Sequence, residues 1–196
     1  MTAAVQNDVR RRILDATRKF LIEHGIENLS IRMIATEVGC SVGSIYVHFA
    51  NKDVLIHDLI EEGFEKLIHL QETVAKSVID PIERLKALCR NYLNFAVENP
   101  GYYEIMFMLK PERMLRYPAE KYRRARRNLE FISDTLAEAN AETLTTVKDP
   151  YLGAHLIWAF MHGVISLGIT KRVDRRIGEE KMIDSAIEQI SKMSFT

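Results

Sequence analysis

A break in an otherwise helical pattern most limits what this chain can fold into: the segment GCSVGSIYVHFANKD at residues 39–53. Before it, apolar residues recur at three- and four-residue steps over 9–21 and again over 31–38, which is the spacing of helices with one buried face. Gly39 can end the second of these helices, and Ser41 can cap a third. The segment therefore predicts two short helices joined by a tight turn.

The other breaks in the sequence are also typical of an all-α chain. Proline is tolerated in the first turn of a helix but not in its interior, and it occurs only at positions 81, 100, 111, 118 and 150. No segment shows the alternation of apolar and polar residues that marks a strand. We expect helices at 6–24, 31–38, 42–48, 52–77, 81–97, 101–109, 118–139, 150–170 and 178–193. The fourth is long enough to belong to two domains, so we predict a three-helix helix-turn-helix domain at 1–52 and a helical bundle at 53–196.

Composition excludes some classes of protein. The chain has 27 Lys and Arg against 27 Asp and Glu, so DNA binding, which a basic surface favours, would depend on a local arrangement of charge. Two cysteines without CxxC spacing indicate neither a disulfide nor a zinc site, and we expect no cofactor. The most apolar segment, 152–169, contains two histidines and three glycines, which favours a buried helix over a membrane span. No apolar signal-peptide core follows the N-terminus, so we expect a cytoplasmic protein without a membrane partner.

The two helices beside the turn have the pattern of a helix-turn-helix. The second of them must enter a DNA major groove about 12 Å wide, so its first residues should be small or able to hydrogen-bond. Val42 can contact a thymine methyl group, Gly43 lets the backbone approach the bases, and Ser44 can bond a base or a phosphate. Ser41 lies at the same helix end and belongs to this candidate set.

Residues around this helix end are suited to hold phosphates. Tyr46 and His48 lie farther along the helix, although packing within the protein is an alternative role for both. Lys52 is in the first turn of the next helix, where free N–H groups also attract an anion. Ser30 and Arg32 open the second helix and can contact the other DNA strand.

The segment LSIRMIATEVGCSVGSIYVHFANKDVL, residues 29–55, resembles the DNA-binding motif of the TetR family of bacterial transcription regulators. The matching positions are Ser30, Ile34, Ala35, Gly39, Ser41, Tyr46, His48, Phe49 and Lys52. With the preceding helix, the resemblance covers residues 10–60. Two positions depart from the family's pattern. Val42 stands where Lys or Arg is common, which removes a phosphate contact, and Val47 stands where an aromatic residue is common, which reduces the apolar surface beside the phosphates.

The second half of the chain is rich in aromatic and thioether side chains. WAFMHGVISL at 158–167 is similar to the Trp-x-x-x-His-Gly segment of one group of TetR-type C-terminal domains, and ENPGYYEIMF at 98–107 is similar to the helix that accompanies it. Pockets for apolar ligands have linings of this kind with a few polar groups. The sequence therefore predicts a site for a small apolar or aromatic effector, oriented by Tyr102 or His162; ordinary core packing is the alternative. The candidate residues are Phe95, Tyr102, Tyr103, Met106, Phe107, Trp158, Met161 and His162.

The helix predicted at 150–170 is apolar on almost every side and must be covered all round. The last helix carries apolar residues at the spacing of a dimer seam, and three glycines in the 150–170 helix would allow helices to approach closely. The seam residues are Ile183, Ala186, Ile187, Ile190 and Met193, and the glycines are Gly153, Gly163 and Gly168. We predict a two-fold dimer with a four-helix interface, which suits two DNA half-sites about 34 Å apart.

Two other features suggest binding sites, but a structural role is the stronger interpretation. The run KYRRARRNLE at 121–130 could hold a phosphate or an acyl-CoA, yet its spacing favours the solvated face of a helix. The inner face of that helix is predicted to be Tyr122, Ala125, Leu129, Ile132 and Leu136. His155 and His162 share a helix face without a carboxylate at ligand spacing, so we expect no metal site.

These features predict a homodimeric, ligand-responsive repressor of a palindromic DNA operator, and not an enzyme. The effector would shift the population toward a state in which the DNA-reading helices are wrongly spaced. One alternative is a helical-bundle enzyme that retains a helix-turn-helix, but the sequence has no nucleophile and base pair or phosphate loop to support it. The other is an activator or architectural DNA-binding protein that has no effector.

Overall fold

The computed structural model describes residues 3–108 and 119–195, with side chains for 8–108 and 125–195. This part of the chain is helical apart from turns and one isolated antiparallel bridge between Thr145 and Phe195, which confirms the all-α class. The helices are α1 (Ala3–His24), a 3-10 turn (Ile26–Asn28), α2 (Ile31–Val38), α3 (Val42–His48), α4 (Lys52–Ser77), α5 (Pro81–Glu98), α6 (Pro100–Tyr103) continued by a π-helix (Glu104–Met108), α7 (Ala119–Ala141), α8 (Pro150–Ile169) and α9 (Glu179–Ser194). The predicted helix ends at residues 109 and 118 lie outside the described residues.

Three side chains cap the N-terminal ends of helices, and Ser41 does so as predicted. Ser30, Ser41 and Asn51 each accept a hydrogen bond from the backbone N–H three residues later, at 3.2, 3.0 and 2.9 Å. Gly39 ends α2 with φ 71° and ψ 38°, a conformation that residues with a Cβ rarely adopt. These bonds are local in sequence, so the turn between α2 and α3 is specified by the residues within it.

Residues 3–63 pack together with 100–108 as one compact unit. Its centre is formed by Ile13, Ile34 and Ile45 of the first three helices, which are fully buried. The Arg12 guanidinium donates to the Val38 carbonyl oxygen at 2.6 Å and so attaches α1 to the last residue of α2. The helix-turn-helix is therefore held on α1 by both apolar packing and a hydrogen bond.

Helix α6 packs within this first unit, although it is far from α1 in sequence. A Cβ on Gly101 would lie 2.1 Å from Ile22 Cγ1. Because glycine has no Cβ, α6 can approach α1 at this position without a clash with Ile22. The Arg18 guanidinium lies 4.9 Å from the centre of the Tyr102 ring. Residues 3–63 and 100–108 thus form one unit although they are separated in the sequence, so a single domain boundary cannot define this unit. The functional division after residue 52 stays a prediction.

The other compact unit comprises residues 64–99 and 119–195. In it, α7 packs against α5 and α8, and α9 also packs against α5 and α8. A Cβ on Gly153 would lie 2.6 Å from Val147 Cγ1 and 3.1 Å from Leu136 Cδ1. Gly153 therefore allows a close approach within the chain, rather than at a dimer interface as predicted.

The predicted dimer seam on α9 is wrong for four of its five residues. Ile183, Ala186, Ile187 and Ile190 are buried inside their own unit, whereas Met193 is exposed. Helical spacing identifies residues that share a face, but it does not reveal whether the same chain or a partner covers that face.

Helix α8 has one covered face and one open face. Leu152, Leu156, Phe160 and Leu167 are exposed, and Gly163 between them has open space where a Cβ would be. The steps of three and four residues place these five on one side of the helix, and we call them the apolar strip. Within the described part of the chain, α8 is the one helix long and apolar enough to span a membrane, a test that core helices of soluble proteins also pass.

Candidate DNA-binding and effector sites

Helix α3 is anchored on one side and open on the other. Ile45 and Phe49 are buried in the first unit. On the opposite side Val47 is 75% exposed and Tyr46 is 51% exposed, while His48 is half-buried. The exposed side therefore presents a phenol and a small apolar side chain to a partner.

The N-terminal end of α3 is small, polar and accessible. Gly43 is exposed, and Val42 and Ser44 are half-buried, so none of the three is enclosed in the core. A Cβ on Gly43 would have only Ser41 Oγ within 4 Å, at 3.7 Å. The hydroxyls of Ser41 and Ser44 are 3.0 Å apart and form a hydrogen bond with each other. A hydrogen bond from Ser44 to a DNA base would compete with this bond.

Lys52 has a structural contact that the sequence does not reveal. Its ammonium donates to the Ile26 carbonyl oxygen at 3.0 Å, which attaches the start of α4 to the 3-10 turn after α1. The two residues are 26 positions apart, so no local pattern indicates this bond. An ammonium carries three hydrogens, and two remain for a phosphate.

Several basic side chains near α3 form ion pairs with carboxylates. Arg10 contacts Asp58 at 2.7 Å, and Lys19 contacts Glu37 at 2.8 Å. Arg32, in contrast, is exposed and forms no ion pair with the described side chains. Its guanidinium is therefore available for a phosphate. Arg32 supplies a local positive charge although the whole chain has zero net charge.

The eight predicted effector residues divide between the two compact units. Tyr102, Tyr103, Met106 and Phe107 belong to the first unit, and Phe95, Trp158, Met161 and His162 belong to the second. In the first group the rings of Tyr103 and Phe107 lie 5.0 Å apart. Burial raises the pKa of the Tyr102 phenol, so this hydroxyl stays protonated.

The second group includes Trp158, which forms a hydrogen bond with another aromatic residue. Trp158 Nε1 donates to the Tyr92 hydroxyl at 2.9 Å, and the Trp158 and His162 rings are 5.5 Å apart. Burial lowers the pKa of His162 from its ordinary value, so its imidazole is neutral at pH 7. Sequence reasoning missed Tyr92, because nothing local relates it to a tryptophan 66 residues away.

The inner face of α7 agrees with the predicted face at Ile132 and Leu136 but differs from it at Ala125 and Leu129, which are half-buried. Its buried residues are Asn128, Phe131, Ile132, Thr135, Leu136 and Ala139. Asn128 was missed because an amide does not contribute to an apolar pattern. The signal that could have identified it is its position four residues before Ile132, on the same helix face.

The remaining predicted features have structural environments. Arg126 and Arg127 are exposed, and Arg127 stacks on Phe131 at 4.6 Å; the side chains of 121–124, including predicted inner residue Tyr122, lie outside the described residues. Cys40 and Cys89 are unpaired thiols. No group of three or more His, Cys, Asp or Glu side chains in the described ranges could hold a metal ion.

Comparison with known protein families gives two matches. The model of bacterial regulatory proteins, tetR family, matches residues 13–59, and the model of a tetracyclin repressor-like C-terminal domain matches residues 85–190. An HTH-type transcriptional regulator of Staphylococcus aureus is 29% identical over 96 residues, which are 49% of this chain and 51% of that protein. The HTH-type transcriptional repressor KstR2 of Mycobacterium tuberculosis is 25% identical over 116 residues, which are 59% of this chain and 58% of that protein. The chain thus spans about half the length of the curated relatives it matches.

A solved structure extends the likeness over nearly the whole chain. The transcriptional regulator FadR from Bacillus subtilis, in complex with stearoyl-CoA, matches with a TM-score of 0.79 and 16% identity. The match covers 93% of this chain and 98% of that chain. At this identity the comparison shows a shared fold.

Proposed function

This chain belongs to the TetR family of bacterial transcription regulators, and on that premise we propose that it is a homodimeric repressor of a palindromic DNA operator. A small, mainly apolar effector in the C-terminal domain releases the operator. The family consists of regulators and not enzymes, which excludes the helical-bundle enzyme considered from the sequence. The protein acts in the cytoplasm, where its operator lies, and has no membrane partner.

The accessible N-terminal end of α3 is the observation that carries this proposal. Gly43 is exposed there, and a Cβ would contact only Ser41 Oγ, at 3.7 Å, so the backbone can approach base edges in a major groove. Val42 contacts a thymine methyl group and Ser44 a base, while Ser41 stays at the helix end as a cap that can also face a phosphate. Because Ile45 is buried in the core of the first unit, the N-terminal end of α3 is held in a fixed position on the surface of that unit.

Phosphate contacts flank α3 on both sides. Tyr46 and His48 bind phosphates along one wall of the groove. Lys52 uses the two ammonium hydrogens that its bond to Ile26 leaves, while Ser30 and Arg32 reach the opposite strand from the start of α2. These contacts position the domain without reading bases.

The DNA-binding proposal is tested by fluorescence anisotropy with a labelled duplex from the region upstream of the coding sequence. We expect wild-type affinity to fall steeply with salt, because phosphate contacts release counterions. Tyr46→Phe and Lys52→Ala should weaken binding to every duplex alike, and Lys52→Ala should lower the salt slope by about one. Ser44→Ala should change the preference among duplexes.

Lys76→Ala is the matched control for Lys52→Ala. Lys76 is an exposed lysine on the same helix, about 36 Å farther along it at 1.5 Å per residue. Its loss should leave DNA affinity and salt slope unchanged. Equal, full-strength binding by the Tyr46, Lys52 and Ser44 variants would contradict the proposed interface.

The apolar strip on α8 supports a homodimer. Its leucines and phenylalanine are exposed in the single chain, and a contiguous apolar surface of this kind marks an interaction site. A second copy can place the same strip against it about a two-fold axis, with Gly163 allowing the helices to approach. Such a dimer presents two α3 helices to two half-sites.

The effector proposal draws its support from the aromatic group around Trp158 in the second unit. It is tested by releasing the labelled operator with extracts of small apolar molecules or with ligands that copurify with the protein. A ligand that binds both states equally would have no effect, and typical couplings of about 1–3 kcal/mol predict a 5- to 150-fold loss of operator affinity. If no bound ligand alters operator release, the protein is an effector-independent DNA-binding protein instead.

A further inference from the structure

Asn128 is a buried amide that has no hydrogen-bond partner among the described residues. The side chain of Asn128 is 8% exposed, and neither its Nδ2 nor its Oδ1, both buried, is bonded to a described group. Buried polar groups are nearly always hydrogen-bonded, because a group removed from water without compensation destabilises the fold. An amide with both its donor and its acceptor unused at a buried position therefore calls for a reason.

Helix register places Asn128 at the same level along the helix axes as the aromatic group of the second unit. Leu136 on α7 lies against Gly153 on α8. The two helices run in opposite directions, so the residue eight positions before Leu136 lies at the level of the residue eight positions after Gly153. Asn128 is thus level with Met161. Arg84 at the start of α5 binds Glu138 near the end of α7, and the same reasoning places Asn128 level with residues 92–96 of α5.

Among the described residues, no polar group at this level forms a hydrogen bond with the Asn128 amide. Met161 and Phe95 offer no hydrogen bond of ordinary strength, and the Trp158 N–H is already donated to Tyr92. The buried side chains of the described residues include no Asp, Glu, Lys or Arg. His162 is neutral at pH 7, because burial lowers its pKa.

We propose that Asn128 is the polar anchor of the effector site and that the effector is an uncharged, mainly apolar molecule carrying an amide-type group. This inference rests on the proposed function, in which the C-terminal domain binds a small effector. The carboxamide of Asn128 offers one acceptor and two donors, so a ligand amide can exchange an N–H···O bond in each direction. The aromatic and thioether side chains at the same level contact the apolar part of the ligand.

Three probes of equal size separate this chemistry from simple hydrophobic binding. Octanamide has an acceptor and a donor, 2-nonanone has the acceptor alone, and octanoate has acceptors and a charge. Binding is followed by the fluorescence of Trp158, the single tryptophan of the chain, in DNA-free protein. We expect octanamide to bind about tenfold more tightly than 2-nonanone, the effect of one buried hydrogen bond, and octanoate to bind more weakly than either.

Two variants test the residue itself. Asn128→Leu should abolish the preference for octanamide and raise the melting temperature, because it removes an unpartnered amide from the interior. Thr135→Val is the matched control: Thr135 lies two turns along the same face, but its hydroxyl donates to the Phe131 carbonyl oxygen at 2.8 Å. This variant should keep the preference.

The inference is overturned if wild-type protein binds octanamide no better than 2-nonanone, or if the preference survives in Asn128→Leu. A lower melting temperature of Asn128→Leu would also overturn it, since the amide would then have a structural partner such as a buried water. Operator binding by the same preparations is measured separately. Intact operator binding with no amide preference would refute the anchor while leaving the proposed repressor function in place.

Discussion

Leu156→Asp tests the proposed dimer at the middle of the apolar strip. Leu156 is 64% exposed in the single chain, and full burial of a leucine contributes about 1.5–3 kcal/mol. Covering the exposed two-thirds at an interface therefore contributes about 1–2 kcal/mol per copy. A two-fold interface contains the residue twice, which gives about 2–4 kcal/mol per dimer, before the added desolvation of two carboxylates.

This free energy corresponds to a dimer dissociation constant raised about 30- to 700-fold, at 1.4 kcal/mol per factor of ten. The assay is sedimentation velocity over nanomolar to micromolar protein, with circular dichroism to check that the variant remains helical. We expect Leu156→Asp to be monomeric at concentrations where wild type is dimeric. Because one domain reads one half-site, operator affinity should fall as well.

Ile79→Asp is the matched control for Leu156→Asp. Ile79 is 85% exposed, but it lies in the connection between α4 and α5, outside the apolar strip. Its replacement should leave the dimer unchanged. An unchanged dissociation constant for Leu156→Asp, or an equal weakening by Ile79→Asp, would refute the reasoning that the strip forms the interface.

Three further outcomes can be measured by thermal unfolding and DNA titration. Gly39→Ala should destabilise the protein by about 1 kcal/mol, since a Cβ is strained at positive φ, and so lower the melting temperature by about 2–4 °C; an unchanged value would contradict the left-handed cap. Gly43→Ala should instead stabilise α3 by about 0.5 kcal/mol through helix propensity while weakening DNA binding, because its methyl group would stand where the backbone meets the bases; undiminished affinity would place the bases elsewhere. The pKa of His162 in the folded protein is below its ordinary value of 6.5. Below pH 6.5 the unfolded state therefore binds more protons at this residue than the folded state does. The contribution of neutral His162 to stability is present above pH 6.5 and is lost as the pH falls toward the folded pKa. His162→Leu should flatten the fall in melting temperature between pH 7 and pH 5, and an equally steep fall in the variant would contradict this assignment.

The helices and their ends could be predicted because their causes are local. Ser41 and Asn51 each accept from a backbone N–H three residues later, and Gly39 needs only its own dihedral freedom. The DNA-binding candidates were chosen from their positions on a short helix that opens with small residues, and their contacts with DNA stay a prediction. The contact from Lys52 to Ile26 could not be predicted, because folding brings together residues that no local pattern connects.

The buried side of each later helix was harder to predict. On α9 the spacing correctly grouped Ile183, Ala186, Ile187 and Ile190, but their own unit covers them where a partner was expected. On α7 the apolar pattern missed Asn128, since polar residues are assumed to face water. In both cases periodicity describes one helix, whereas burial depends on its neighbours.

The amino-acid order alone determined that this chain is all-α, where most of its helices begin and end, and where the tight turn before the proposed DNA-reading helix lies, because hydrogen bonds and backbone preferences over three or four residues decide these features. The tertiary structure alone decided that α6 packs beside α1, that the α9 face is internal, that α8 keeps an open apolar strip, and that one amide is buried without a partner. These features depend on which surfaces meet across long sequence separations, and the total burial of the chain, rather than any local preference, selects that arrangement.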